Sequence, residues 1–444
     1  MSDKPQQEKK TKKRHDSDAK IRRFLAIVLS LIAIFMTVLV FYTLRHSSSD
    51  PTVTEGKTKS WTPETTAATE QTEATEATEP TEPTEYVDPV LYAAQQTLGG
   101  MTLEEKVYQL FFVTNHELTG TYYASTAGEE TREALQSKPV GGVVFDRDNI
   151  FGRDQLAAMI EDTQSYSAIP LLIGIEEEGG LEQYSYLRTI GVTGRYSEMG
   201  VYGDGNEADR VYEIGNEIGT ALTSIGFNVN LAPVADTLVN PYNPELGAAG
   251  GRRAFSSDPE ITAGLVEQMV KGLHSGGCMS CLKYFPGLSA SNTDSRYGTA
   301  VSNQTMEELQ ANLLPFKTGI ENGAEMIMVS HLCLPGIVEL PDGEDRPADL
   351  CEQIVTDLLR AQLGYDGVVM TDSFEKGAIS YHYDAGAAAL AAIQAGCDII
   401  YMPDDLEAAA QAIIAAVNNG TLTEQRINES VLRILTLKYA HGLQ

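Results

Sequence analysis

Five polar side chains stand where an apolar run breaks off: Glu176, Asp236, Lys283, His331 and Asp372. Carboxylates of this kind attack carbon centres or move protons, an imidazole relays protons near neutral pH, and an ammonium grips oxygen-rich groups. The segment Gly367-Val368-Val369-Met370-Thr371-Asp372 says most. Val368 to Met370 are apolar without alternation, as in a strand covered on both faces, and Asp372 comes as the strand ends. In a (β/α)₈ barrel that position is the rim where catalytic groups sit. Taken alone, the segment also fits Asp372 or Ser373 as the cap of a following helix. Metal chemistry finds no ligand set here: there is no His-x-His strand end and no H-E-x-x-H. There is no G-x-G-x-x-G and no P-loop, so no cofactor is expected.

Eight apolar runs can carry these residues: Gln109–Val113, Gly141–Phe145, Leu171–Glu176, Asn228–Asp236, Cys278–Phe285, Met326–Leu332, Gly367–Asp372 and Asp398–Met402. Helical patterns alternate with them. Asp258-Pro259-Glu260 reads as an N-cap, a first-turn proline and an acidic first turn, and Gly276-Gly277 ends that helix. Thr305 with Glu308 fits a capping box, and Val211, Ile214, Ile218, Leu222 and Ile225 share one helix face. Strands alternating with helices give either a doubly wound sheet or a closed barrel. Polar residues at so many strand ends favour the TIM-type (β/α)₈ barrel, which gathers them around one mouth.

The chain has 444 residues and a formal charge of −30. That acidity argues against nucleic acid as a partner, because phosphate binding needs stripes of Lys and Arg. Of the five cysteines, Cys278 and Cys281 form a C-x-x-C, but nothing completes a zinc set, and both read as small core residues.

With its strand ends in view, the chain resembles glycoside hydrolase family 3, in its single-barrel β-N-acetylhexosaminidase branch. The resemblance runs from about Leu98 to the C-terminus. It rests on Leu103-Glu104-Glu105-Lys106-Val107, on Ile173 to Gly180 with its acidic Gly-Gly end, and on Asn230-Leu231-Ala232-Pro233-Val234-Ala235-Asp236. It also rests on Arg253-Ala254-Phe255, Lys283-Tyr284-Phe285-Pro286-Gly287, Met328-Val329-Ser330-His331 and Thr371-Asp372. The resemblance implies retaining hydrolysis of O-glycosidic bonds, with Asp372 as the nucleophile. It implies Glu176, Arg253, Lys283, Tyr284 and His331 as substrate-binding residues, and a substrate among cell-wall or other glycans containing N-acetylglucosamine.

The departures from the family pattern fall on the same site. The branch places its acid/base on an Asp-Ser-His triplet; here the triplet is Asp294-Ser295-Arg296. Asp294 is kept as a catalytic candidate, but arginine stays protonated at any working pH and cannot relay a proton. Leu181 and Tyr184 stand where the pattern has arginines, and Tyr284 follows Lys283 where it has a histidine. His382 and His331 are candidates for a substitute acid. Two expectations follow: a wall-facing glycosidase, or a catalytically impaired homologue that binds glycan or serves as a scaffold.

The N-terminal part reads differently. Residues 1–23 are basic, and 24–44 contain no charge, enough for a helix of roughly 31 Å at about 1.5 Å per residue. Residues 45–88 are rich in Thr, Glu and Pro and read as a disordered linker. The expectation is a cytoplasmic tail, one transmembrane anchor, and an extracellular barrel over 89–444 held at the membrane by that helix. Oligomeric state is not legible.

Overall fold

A computed structural model describes residues 88–443, apart from 181–184, 195 and 340–344. The expected tail, the anchor over 24–44 and nearly all of the linker lie outside these residues, as do Leu181 and Tyr184. No described helix is long and apolar enough to cross a membrane.

Eight parallel strands form one sheet: β1 (Phe111–Thr114), β2 (Gly142–Val144), β3 (Leu172–Ile175), β4 (Val229–Asn230), β5 (Met279–Phe285), β6 (Met326–Val329), β7 (Val368–Thr371) and β8 (Ile400–Tyr401). They neighbour one another in sequence order, and β8 also pairs with β1, Phe111 opposite Ile400. A parallel bridge between Met370 and Ile399 brings the two ends together, so the sheet closes into a barrel. A small extra pair, Ala300–Val301 with Leu332–Cys333, sits beside it.

Each expected strand is present, but Asn228–Asp236 is regular only over Val229–Asn230. Pro233 carries no N–H for a ladder, and the segment continues through single contacts instead. Leu231 N–H donates to the Ile175 carbonyl (2.8 Å), and Ala235 N–H donates to the Lys283 carbonyl. The barrel interior is packed with side chains. The Phe112 ring lies so close to β3 that a Cβ on Gly174 would come within 2.4 Å of it, which explains a glycine in mid-strand.

The helices start as their sequences foretell. Asp258 caps Pro259–Ser275 through the Glu260 and Ile261 N–H groups, and Thr305 with Glu308 forms a reciprocal capping box. Ala208–Thr223 buries Val211, Ile214, Ile218 and Leu222. All five cysteines are buried free thiols.

The last helix, Glu424–Ala440, crosses beneath the strand starts. Ser430 and Arg433 reach Asp398 ahead of β8 (Arg433 at 3.2 Å), and Lys438 Nζ donates to Gln109 Oε1 ahead of β1 (2.8 Å). Near its end, Tyr439 meets Thr97 of the first described helix, Pro89–Gly100, hydroxyl to hydroxyl at 2.8 Å. The strand starts are thus plugged, and the strand ends carry the open cavity.

Candidate active site

A cavity of about 430 Å³ opens at the strand ends, lined by Glu176, Tyr186, Glu245, Arg253, Tyr284, Arg296, Asp372, Ser373, Glu375, Lys376 and Met402. The ends of five strands and the loops that follow them contribute to it. Asp372 comes directly after β7 and is 2% exposed, with its carboxylate edge on the cavity. Ser373 N–H donates to Oδ1 (2.8 Å), and the Lys376 ammonium donates to Oδ2 (2.6 Å). Asp372 is not the N-cap of the short helix Gly377–Ser380, a place taken by Lys376. Burial alone would push its pKa up. The Lys376 ammonium and then the His331 ring outweigh burial and hold it below the ordinary carboxylate value. An ionised carboxylate in a dry wall is what nucleophilic attack requires.

Lys376 is itself shared. Its ammonium lies 3.5 Å from Glu245 Oε2 and 5.2 Å from the centroid of the Tyr284 ring. Burial works against its charge, but Asp372 and Glu245 raise its pKa well above that of a free lysine. Glu245 in turn accepts from Ser295 N–H (2.7 Å) and Ser295 Oγ (3.1 Å), so it ties the Asp294-Ser295-Arg296 loop to the nucleophile's neighbour.

Behind this pair lies a buried ion cluster. Glu178 accepts from Arg253 Nε (2.8 Å) and Nη2 (2.6 Å), and the Lys283 ammonium stands 2.6 Å away. Burial opposes ionisation of Glu178, but the two cations prevail and hold its pKa down at about 2. Arg253 Nη2 also donates to the Tyr284 hydroxyl (2.6 Å). Glu176, at the end of β3, accepts from Lys283 (3.3 Å) and the Tyr401 hydroxyl (3.2 Å) and keeps one side to the cavity.

The expected substrate-binding residues therefore divide. Glu176, Arg253 and Tyr284 line the cavity. Lys283 is fully buried beneath Glu176 and Glu178 and acts on the cavity through them. His331, also fully buried, does not line the cavity. Its Nε2 lies 2.8 Å from the Ser373 carbonyl and its Nδ1 2.9 Å from Asp349 Oδ2, the latter an electrostatic contact more than an aligned hydrogen bond. In the closed barrel neighbouring groups enclose both side chains, where the sequence reading had them meeting a ligand.

Asp294 does not face the cavity freely. Arg296 grips it with a two-pronged fork, Nε to Oδ1 at 2.8 Å and Nη2 to Oδ2 at 2.6 Å. His382 is exposed and contacts Thr299 Oγ1 at 3.2 Å. No histidine is among the described residues lining the cavity, so neither candidate substitute acid reaches it in this structure. No group of three or more metal-ligating side chains occurs among the described residues.

Sequence reasoning missed Lys376, Glu245, Glu375, Tyr186 and Met402 as cavity residues. Lys376 and Glu375 had a local signal: they follow Asp372 by four and three residues in the turn that the strand end begins. Glu245 had none, since its loop reaches Lys376 only in the folded barrel.

Comparison with known proteins places these observations. The family model described as "Glycosyl hydrolase family 3 N terminal domain" matches residues 102–437. Beta-hexosaminidase of Chromobacterium violaceum is 30% identical over 306 residues, which cover 66% of this chain and 80% of that protein. Beta-hexosaminidase A of Pseudoalteromonas piscicida is 30% identical over 337 residues, covering 71% of this chain and 56% of that protein. The solved glycoside hydrolase family 3 beta-N-acetylglucosaminidase from Paenibacillus sp. str. FPU-7 superposes with a TM-score of 0.71 at 31% identity, covering 78% of this chain and 63% of that one. The chain thus spans little more than half the length of some of the relatives it matches.

Proposed function

From the premise that this chain belongs to glycosyl hydrolase family 3, we propose that it hydrolyses O-glycosidic bonds with retention, in the manner of a β-N-acetylhexosaminidase. The observation that carries this reading is Asp372: a cavity-facing carboxylate at a strand end, kept ionised by Lys376. Asp372 attacks the anomeric carbon and forms a glycosyl ester, which water then opens. Glu176 and Arg253 hold sugar hydroxyls, and Tyr284 supplies a rigid wall beneath the ring. As Asp372 loses its charge on forming the ester, Lys376 keeps Glu245 as its counter-ion, so no cation is left stranded.

The substrate we propose is a glycan containing N-acetylglucosamine, of cell-wall or other origin. The uncharged stretch over 24–44 supports a barrel carried outside a membrane on a tether.

A second reading has its own observation. Arg296 occupies the acid/base position and closes on Asp294, which fits a homologue that binds glycan without turning it over. One experiment separates the two. The protein is incubated with a slow-reacting fluorinated N-acetylglucosaminide and weighed intact. The glycosidase reading expects one adduct, mapped to Asp372 and lost in Asp372→Asn. Glycan binding with no adduct at any concentration selects the binding reading.

A further inference from the structure

The site has a nucleophile, but its acid/base position holds arginine. We infer that Glu375 is the proton donor, placed where the catalytic cavity opens into a second, tyrosine-lined cavity that takes the leaving sugar. This rests on the glycosidase reading above.

Glu375 follows Asp372 by three residues. Phe374 between them is buried, and its N–H donates to the Tyr401 carbonyl (3.1 Å), which pins the turn to β8 and presents both carboxylates at the same rim. Glu375 lines the large cavity together with Asp372. It also lines a neighbouring cavity of about 120 Å³, and Met402 is likewise shared by the two. The second cavity has the character of a sugar site. Tyr122 and Tyr123 are 63% and 68% exposed, and the Tyr122 ring stacks on His116 at 3.3 Å between centroids. Thr121, Asn149, Asp146 and Asp148 add hydroxyl, amide and carboxylate partners around them. Large exposed aromatic rings beside hydrogen-bonding groups suit the apolar face and polar edge of a pyranose. Tyr123 also holds a left-handed backbone, φ 54°, a conformation that costs energy for a side chain of its size and clusters at functional sites.

With one ring over Asp372 and the next against the tyrosines, the bond joining them passes Glu375. The groups facing Glu375 favour its protonated form. Partial burial against the cavity wall raises its pKa, and Asp146 after β2 and Asp404 after β8 raise it further. Glu117, beyond β1, is pushed up to about 8, first by burial, with Glu375 among the charges that contribute. Asp148, His116, Arg296, Glu176, Lys376 and Asp372 complete the charged surroundings, and the cations among them act in the opposite sense.

The step balances without any further reagent. The Asp372 carboxylate forms a bond to the anomeric carbon as the glycosidic C–O bond breaks. Glu375 gives its proton to the departing oxygen and becomes a carboxylate. It then takes a proton from water, whose oxygen attacks the anomeric carbon and frees Asp372.

The test is Glu375→Gln, conservative and at an exposed position. Two substrates are compared: di-N-acetylchitobiose, whose leaving oxygen needs a proton, and 2,4-dinitrophenyl N-acetyl-β-glucosaminide, whose leaving group does not. We expect kcat/KM for the disaccharide to fall by about 10²–10⁴-fold, the usual worth of a general acid, and to fall far less for the dinitrophenyl glycoside. The basic limb of the pH profile should vanish, and sodium azide should restore turnover of the dinitrophenyl substrate with a glycosyl azide as product. Equal losses on both substrates, no loss on either, or no azide product would each overturn the assignment. The two readings fail separately. If the wild-type protein forms no fluorosugar adduct at Asp372, the glycosidase reading falls; if the adduct forms and Glu375→Gln leaves the leaving-group dependence intact, only the role of Glu375 falls.

Discussion

Replacing Lys376 with methionine isolates what keeps the nucleophile ionised. The lysine ammonium lies 2.6 Å from Asp372 and 3.5 Å from Glu245, and both carboxylate side chains are 3% exposed. Methionine keeps much of the length and removes the charge. The Lys376 ammonium is the first of the charges that hold the pKa of Asp372 down against burial, so losing it should raise that pKa. Removing one partner from a buried ion pair costs about 3–5 kcal/mol of stability. The direction of the pH dependence follows. Because the folded-state pKa of Asp372 is depressed, its stabilising contribution is present above the unfolded value of about 3.9 and is lost as pH falls through the folded one. The stability gap between wild type and Lys376→Met should therefore be full at pH 7, begin to narrow at the variant's raised Asp372 pKa, and close only as pH falls below about 3.9 through the depressed wild-type value. Two assays read it: the rate of fluorosugar labelling across pH 3–8, whose acid limb should move to higher pH, and urea unfolding at pH 7 and pH 3. An acid limb that stays in place, with an unchanged urea midpoint, would refute the argument that Lys376 holds the charge.

Other outcomes follow from the same structure. Arg253→Met leaves Glu178 buried with Lys283 as counter-ion and should cost about 3–5 kcal/mol in urea unfolding, part of which Glu178→Gln in the same background should recover. Lys438 is buried and its pKa is pushed down to about 7, so the unfolded chain holds its proton more tightly and stability should rise as pH climbs from 7 towards 10. Lys438→Met should accordingly raise Tm relative to wild type by more at pH 6 than at pH 9; a difference independent of pH would count against a buried, unwilling charge. Tyr123→Ala should lower kcat/KM for di-N-acetylchitobiose, relative to the dinitrophenyl glycoside, by about tenfold, or about 1.4 kcal/mol; an unchanged ratio would mean that the leaving sugar does not rest on that ring.

The barrel was legible because its strands are continuous apolar runs that end in single polar residues. Where the reading overreached, at Asn228–Asp236, the cause was local: Pro233 breaks a ladder that the surrounding apolar residues otherwise continue. Asp372 was legible for the same reason as the strands, being the first charge after β7. Lys283 and His331 were found as strand ends, but the direction each side chain takes depends on the closed barrel, and both turned inward. The Arg253–Glu178 pair joins residues 75 apart in sequence, and Glu245 reaches Lys376 across two loops. Such pairings are set by closure of the ring and have no local pattern. Lys376 and Glu375 were hidden in another way, since charged residues in a turn usually face solvent.

The helix beneath the strand starts has a mechanical consequence. Any pull transmitted along the chain into Pro89 arrives first at the Thr97–Tyr439 contact and the packing around it, at the end of the barrel away from Asp372. Such a force would load the packing of two helices before it reached the rim. Strain entering at one pole of the barrel is thus taken up by helix packing, with the catalytic geometry at the other pole left in register.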